Sequence, residues 1–320
     1  MYRIGIDLGG TNIALGIVDE KKRILHKASE PTNLPRSAES LTEAIAELVM
    51  RELDRAGISA EEVEAAGIGI PGTVNPVDGI VEYANNFGFV NVPLKALLQE
   101  KLPFPLHAAN DAKAAAWGEY QAGAGKGSRS MLMITLGTGV GGAMIINGSC
   151  IEGYNYAAGE IGHMVIRQGG KPCTCGRRGC LEAYASASAL TEQAREAAAE
   201  NPDSLLLAHA GGNLEKINGK VVMDCVAAGD ETAKRVFGQY LSYLAEGTAN
   251  LINILQPERV VIGGGLSGAG EALLSPLRQL VSPMLYSRDS SRNAQIAAAE
   301  LGNDAGIIGA AFWQPADSFQ

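Results

Sequence analysis

The sequence predicts an α/β protein built from two similar halves. Three observations carry that prediction. Short apolar runs of strand character alternate with stretches of helical spacing along the whole chain. A plan of strand, glycine turn, strand, tight turn, strand occupies the first thirty residues and returns from about residue 128. No linker rich in Pro, Ser or charge separates tethered modules, and alternating strands and helices in such a chain pack as α/β layers.

The elements follow in order. "RIGIDL" alternates as a strand, and "NIALGIVD" and "RILHKAS" are two more, joined by the turn "EKK". A helix is expected at 37–56, where "ESLTEAIAELVMREL" repeats apolar residues at helical spacing. "VEAAGIGIPG" reads as a buried strand ending at Pro71-Gly72. "NVPLKALLQEKL" reads as a short helix, "PLHAAN" as a strand, and "DAKAAAWGEYQAG" as a helix opened by Asp111. The second cycle, "SRSMLMITLGTGVGGAMIINGSCIEG", has an Asn-Gly hairpin turn before its third strand. Helices at about 187–200 and 230–254, a strand "RVVIGGGLS", a helix at about 270–281, a strand "AQIAAAEL" and a helix "AGIIGAAFW" complete the chain.

Composition excludes several classes. The 320 residues are 46% hydrophobic and 19% charged, enough apolar residues for real cores and too few charges for disorder. The net charge of −9, with no basic run, argues against nucleic acid or an anionic membrane surface as partner. "MYRIGIDLGG" lacks the basic and apolar regions of a signal peptide, and no run of about 18 apolar residues occurs, so a cytoplasmic protein is expected.

Three of five cysteines crowd into "HMVIRQGGKPCTCGRRGCLE", residues 163–182. In such a chain a cluster of this kind points to metal or catalysis rather than to a disulfide framework. Cys173, Cys175 and Cys180 stand close enough for one loop to wrap a tetrahedral Zn²⁺, with glycines at 169, 170, 176 and 179 for the bends. Lys171, Arg177 and Arg178 are expected to offset the thiolate charge. Buried or redox-active thiols are the alternative. His163 as fourth ligand is not decided by spacing, because a lone histidine is more often a hydrogen-bonded core residue; His107 and His209 lie nearer the loop than His26, but both are dozens of residues away. Cys150 and Cys225 sit in apolar surroundings and are expected in the core.

"GTGVGG" at 137–142 satisfies G-x-G-x-x-G, and Glu160 follows at about the distance of a ribose-binding acid. A dinucleotide fingerprint must open a helix, however, whereas this turn joins two strands. Read instead as hairpin turns, "LGGTN" and "LGTGVGG" can each present backbone N–H groups to phosphate, through Gly9 and Gly10 in one and Gly137 and Gly139 in the other. Thr11, Asn12 and Thr138 add side-chain donors, and Asp7 is placed to hold Mg²⁺ through water. "GGGLS" at 263–267, with Gly264 and Gly265, lies between a strand and a helix and suits a nucleotide's adenosine part. Asn110-Asp111 stands where a strand meets a helix, the place where α/β proteins bind ligands. An ionised Asp111 there can take the proton of an attacking hydroxyl; a plain helix cap is the alternative.

"DLGGTN", "GIGIPGTV", "NNFGFVNVPL", "NDAKAAAWGE", "LGTGVGGA", "GEIGH", "CTCGRRGCLE" and "IGGGLS", in this order, resemble the ROK family (repressors, open reading frames, sugar kinases) over nearly the whole chain. The cysteine motif is the most specific of these, and the likeness is strongest to the family's bacterial glucokinases. The resemblance implies an actin-like sugar-kinase (ribonuclease H-like) fold, with two α/β domains around a cleft: 1–110 with 305–320 as a small domain, and 111–304 as a large domain carrying the zinc loop. It implies ATP-dependent phosphorylation of glucose to glucose 6-phosphate, a step of carbohydrate metabolism and glycolysis, with Asp111 as base on the 6-hydroxyl. Gly72, Asn85, Asn110, Asp111, Glu160, His163 and Glu182 match the family's sugar positions, and His163 with Cys173, Cys175 and Cys180 match its structural zinc ligands. A homodimer or homotetramer is implied. The family's repressors carry a helix-turn-helix before the first strand; this chain begins at that strand, so DNA binding is not expected. Other hexoses and N-acylmannosamine remain alternative substrates, and a non-catalytic sugar sensor is the alternative from another class.

Overall fold

The structure is a computed structural model, and it describes residues 1–314. In chain order the strands and helices begin with β1 (Tyr2–Leu8), β2 (Asn12–Val18), β3 (Ile24–Pro31), α1 (Ala38–Ala56), β4 (Val63–Ile70), β5 (Thr73–Asn75), β6 (Ile80–Ala84), β7 (Phe89–Val92), α2 (Leu94–Gln99), β8 (Leu106–Asn110) and α3 (Asp111–Ala122). They continue with β9 (Ser130–Leu136), β10 (Val140–Ile146), β11 (Ser149–Cys150), α4 (Glu182–Ala185), α5 (Ala187–Glu200), α6 (Leu205–His209), α7 (Gly219–Ala227), α8 (Glu231–Leu255), β12 (Arg259–Gly263), α9 (Glu271–Val281), β13 (Gln295–Ala298) and α10 (Asp304–Ala311).

Two five-stranded sheets have the same plan. One runs β3-β2-β1-β4-β8 and the other β11-β10-β9-β12-β13, with a further small sheet β5-β6-β7. In the first sheet β1 pairs antiparallel with β2 and parallel with β4, and β4 pairs parallel with β8. The repeat expected from the sequence is thus present, glycine turn for glycine turn. By contacts the chain groups into two units. The first holds Met1–Met131, Ala143–Gly159 and residues 300–314; the second holds Leu132–Gly142 and Glu160–Ala299.

In the first unit the inner strands β1 and β4 are covered on both faces, by α1 on one side and α10 on the other, which explains why β4 is buried at every position but Glu64, whereas the edge strand β3 alternates half-buried and exposed. Side chains alternate across a strand. Ile4, Ile6, Ile68 and Ile70 join one core with Leu41, Ile45 and Leu48 of α1. The alternate positions in β1, β2 and β4 are Gly5, Gly16 and Gly67, and α10 lies over them. A Cβ on Gly67 would stand inside the carbonyl of Ala310, so "AGIGI" is a sequence for helix-on-backbone packing. Helix α10 packs equally closely on α3, where Gly309 meets Ala114, and Trp117 Nε1 donates to Phe312 O at 2.7 Å. Helix α3, expected after the boundary at 110, therefore groups with this unit, and so does α10.

Helix α1 runs 38–56 because Ser37 caps its start, its side chain accepting from Ser40 N at 3.2 Å, and Gly57 closes it at φ 68°. In the second unit α8 is the long central helix, packed on α4, α5, α7 and α9. The expected strand "RVVIGGGLS" stops at Gly263, and Gly265–Ala269 forms a 3₁₀ turn instead. Sequence periodicity did not register the small sheet β5-β6-β7 or the short helices α4, α6 and α7. Among the described residues no helix is long and apolar enough to cross a membrane.

Candidate functional site

In the first unit the predicted residues converge on the ends of β1, β4 and β8. The turn after β1 closes through Gly9 N donating to Asn12 O at 2.9 Å, with Gly10, Thr11 and Asn12 exposed. A residue the sequence did not single out anchors it: fully buried Thr32 donates its hydroxyl to Gly9 O at 2.7 Å and its amide to Thr11 O at 2.8 Å. Asp7, at the end of β1, is largely buried. Burial first, and the Asp111 carboxylate second, push its pKa up to about 6. A Cβ on Gly306, near the start of α10, would fall 2.6 Å from Asp7 Oδ2, so α10 crowds this carboxylate from one side.

Asn110 ends β8 and caps α3, accepting from Lys113 N at 3.0 Å. Its amide donates to Gly72 O at 2.9 Å and to Asp111 Oδ1 at 3.0 Å, and the Ala112 amide reaches the same oxygen at 2.8 Å. The cap and the fixed carboxylate, alternatives in the sequence, are therefore both present on adjacent residues. The terminus of α3 favours an ionised Asp111. Gly72 holds φ 107° and lies against Tyr83 O and the Cα of Ala84, a position only glycine fills. That contact brings Gly72 beside the strand leading into Asn85, which is exposed and accepts from Tyr83 Oη at 3.3 Å.

One turn into α3 stands a second group missed by periodicity. Lys113 Nζ is buried with Glu152 Oε2 at 2.5 Å and Tyr156 O at 2.8 Å, while Glu152 Oε1 is buried without a hydrogen-bond partner. A lysine in the otherwise small and apolar run "AKAAAW" was the available signal.

In the second unit three segments meet at the turn between β9 and β10. Gly137 N donates to Gly139 O at 3.0 Å, and Ala187 N of α5 donates to Gly137 O at 2.9 Å. Gly264, at φ 82°, abuts the backbone of Leu136, so the Gly264–Gly265 turn lies beside the Gly137–Gly139 turn. A cavity of about 830 Å³ opens here, lined by Thr138, Thr174, Glu182, Ser188, Arg195 and Asn218.

The cysteine loop is compact. His163 ends a 3₁₀ turn that starts after Glu160, and the isolated bridges Val165–Cys180 and Pro172–Arg178 fold the loop back on itself. One ligand atom from each of His163, Cys173, Cys175 and Cys180 lies within 4.8 Å of the others. Cys173 Sγ is 3.6 Å from His163 Nδ1, and Cys175 Sγ is 3.7 Å from Cys180 Sγ. With Zn–S about 2.3 Å and Zn–N about 2.0 Å, a tetrahedron has edges of about 3.5–3.8 Å, so the set fits one zinc through Nδ1. His163 Nε2 points away, 3.8 Å from Glu160 Oε2. The backbone amide of Arg177 does most to favour the Cys175 thiolate and lower its pKa; hydrogen bonds with Cys173 and Cys180 follow, and the Arg177 charge, the contribution expected from the sequence, comes last. Lys171 is turned instead to Glu192, at 3.2 Å. Cys150 and Cys225 are buried, as expected.

The ROK family profile matches residues 3–317. A glucokinase of Halalkalibacterium halodurans is 39% identical, covering 96% of this chain and 93% of that one. An N-acetylmannosamine kinase of Citrobacter koseri is 32% identical, covering 99% of this chain and all of that one. The crystal structure of a ROK family glucokinase from Streptomyces griseus, in complex with glucose and AMPPNP, superposes with TM-score 0.80 at 37% identity, over 97% of this chain and 98% of that one.

Proposed function

The chain belongs to the ROK family, and we propose that it is an ATP-dependent glucokinase making glucose 6-phosphate. The observation that carries this reading is the full-length likeness to a glucokinase whose structure holds glucose and an ATP analogue. The geometry of Asn110 and Asp111 supports it. Asp111 is the general base: its carboxylate takes the proton of the sugar 6-hydroxyl as that oxygen bonds to the γ-phosphorus, and the β–γ bridging oxygen leaves with ADP. Asn110 holds the carboxylate through Oδ1, so its orientation is set by β8 and the first turn of α3.

Gly72, Asn85, Asn110 and Asp111 are the proposed sugar ligands of the first unit, and Glu160, His163 and Glu182 those of the second. Gly9, Gly10, Thr11 and Asn12 in one turn, and Gly137, Thr138 and Gly139 in the other, are the phosphate donors; Gly264 and Gly265 flank the adenosine. Magnesium, when bound with the nucleotide, neutralises charge on the transferred phosphoryl group, and Asp7 is the residue to hold it through water. His163, Cys173, Cys175 and Cys180 hold a structural zinc; four protein ligands leave no position for a catalytic water. The same reading includes a cytoplasmic homodimer or homotetramer.

A second reading, N-acylmannosamine phosphorylation, is favoured by the Citrobacter relative. Coupled measurement of ADP release across glucose, mannose, fructose and N-acetylmannosamine separates the two. Glucose should give the highest kcat/KM. Preference for N-acetylmannosamine, or no sugar-dependent release, refutes the proposal.

A further inference from the structure

The second glycine turn already has a carboxylate seated on it. Val140 N donates to Glu182 Oε2 at 3.1 Å. On the other side Thr174 Oγ1 donates to Glu182 Oε1 at 3.3 Å, with Cys173 Sγ at 3.8 Å. A Cβ on Gly139 would collide with Oε2, so the carboxylate lies against the turn itself. Glu182 also stands on the wall of the 830 Å³ cavity, together with Thr138 of the same turn. The two cationic side chains on that wall are engaged elsewhere, Lys171 with Glu192 and Arg195 with the carbonyl and carboxylate of Glu215. Nothing basic among these cavity residues offsets the charge that Glu182 brings to the turn.

A backbone amide in a glycine turn is a donor to anions, and a carboxylate and a phosphate oxygen are rivals for it. We propose that Glu182 competes with the terminal phosphates of the nucleotide for the Val140 amide, and so sets how tightly the phosphate donor is held. This rests on the reading of the turn and its cavity as the nucleotide site of an ATP-dependent kinase. It gives Glu182 a role separate from any contact with the acceptor. An acceptor hydroxyl that hydrogen-bonds Glu182 draws the carboxylate off the amide, so acceptor and donor strengthen each other's binding, reciprocally and by the same factor.

The test uses the full-length, zinc-loaded protein and calorimetric titration with AMP, ADP and AMP-PNP in the presence of Mg²⁺ and without sugar. Two variants, Glu182→Gln and Glu182→Ala, guard against a folding defect in either, and circular dichroism checks both. ADP and AMP-PNP should bind about tenfold more tightly to Glu182→Ala, the lower end for one hydrogen bond to a charged group, and more tightly by a smaller factor to Glu182→Gln, whose neutral amide oxygen is a weaker rival for the Val140 amide. AMP, which lacks the β- and γ-phosphates that the proposal places at the turn, should bind as to the wild type. Unchanged or weaker AMP-PNP binding in both variants overturns the proposal. Equal tightening of AMP overturns it too, since that is a general charge effect in the cavity. A wild type that binds none of the three nucleotides refutes the kinase reading itself; a wild type that binds AMP-PNP no less tightly than its variants refutes only the competition.

Discussion

Replacing Asp7 by Asn should stabilise the ligand-free protein while impairing catalysis. The folded carboxyl has a pKa of about 6 against 3.8 for the ordinary group, so the fold favours the neutral form. The contribution is fully present below pH 3.8 and is lost as pH rises through about 6. Asn is neutral throughout and keeps the shape. At pH 8 the difference is the whole shift, about 2.2 pH units at 1.36 kcal/mol each, or about 3 kcal/mol in favour of the variant. At pH 5, where folded Asp7 is mostly protonated and the unfolded group mostly ionised, linkage leaves about 1.6 kcal/mol. Urea unfolding of both proteins at pH 5, 6, 7 and 8, without nucleotide, measures this through the midpoint and slope. Added Mg²⁺ and ATP should then stabilise wild type more than the variant, because the lost carboxylate is the proposed metal partner. A stability difference that does not grow between pH 5 and pH 8, or a variant less stable than wild type throughout, refutes the account of Asp7 as a carboxylate held under strain by burial and by Asp111.

Asp111→Asn should lower kcat by roughly 10²–10⁴ while sugar binding survives, since the amide keeps its hydrogen-bonding capacity; retained turnover above about a tenth of wild type would remove Asp111 as the base. Gly139→Val should weaken ATP binding in a chain that still folds, because its side chain would strike Glu182 Oε2 and crowd the turn; unchanged ATP affinity would reduce the turn to a hairpin. Cys175→Ser should lose about one zinc per chain and with it sugar affinity, while most helical signal remains, since four protein ligands would leave the proposed zinc no open position for catalysis. Elemental analysis, sugar titration and circular dichroism read these together, and wild type without zinc, or a variant with normal sugar affinity, contradicts the metal assignment.

Much of the fold was legible because local signals agreed with tertiary needs. Helix α1 was expected at 37–56 and runs 38–56, since its apolar spacing is bounded by a real cap at Ser37 and a real stop at Gly57. Helix α3 likewise begins at Asp111 because Asn110 caps it. The doubled glycine hairpin foretold the two like-ordered sheets. What stayed hidden depends on partners far along the chain. Thr32 reads as an ordinary loop residue until its hydroxyl is seen on Gly9 O, 23 positions earlier. The seating of Glu182 on Val140 spans 42 positions and leaves no periodic trace. The strands of β5-β6-β7 are three to five residues long, too short for alternation to distinguish them from loop. The candidate metal ligands were visible as chemistry, whereas the nitrogen of His163 that faces Cys173, Nδ1, needed coordinates.

The buried pair of Lys113 and Glu152 bears on how this sequence can drift over generations. The two lie 39 positions apart, both nearly out of water, and each is the other's charge partner. Loss of one leaves the other as a bare buried ion, at a cost of about 3–5 kcal/mol, whereas exchange of both for apolar residues of similar volume is often close to neutral. Against a typical total stability of roughly 5–15 kcal/mol, the single-step intermediate is severely handicapped and the double replacement is not. Descendants of this chain are therefore expected to keep both residues or to have changed both, with lineages carrying only one rare and short-lived.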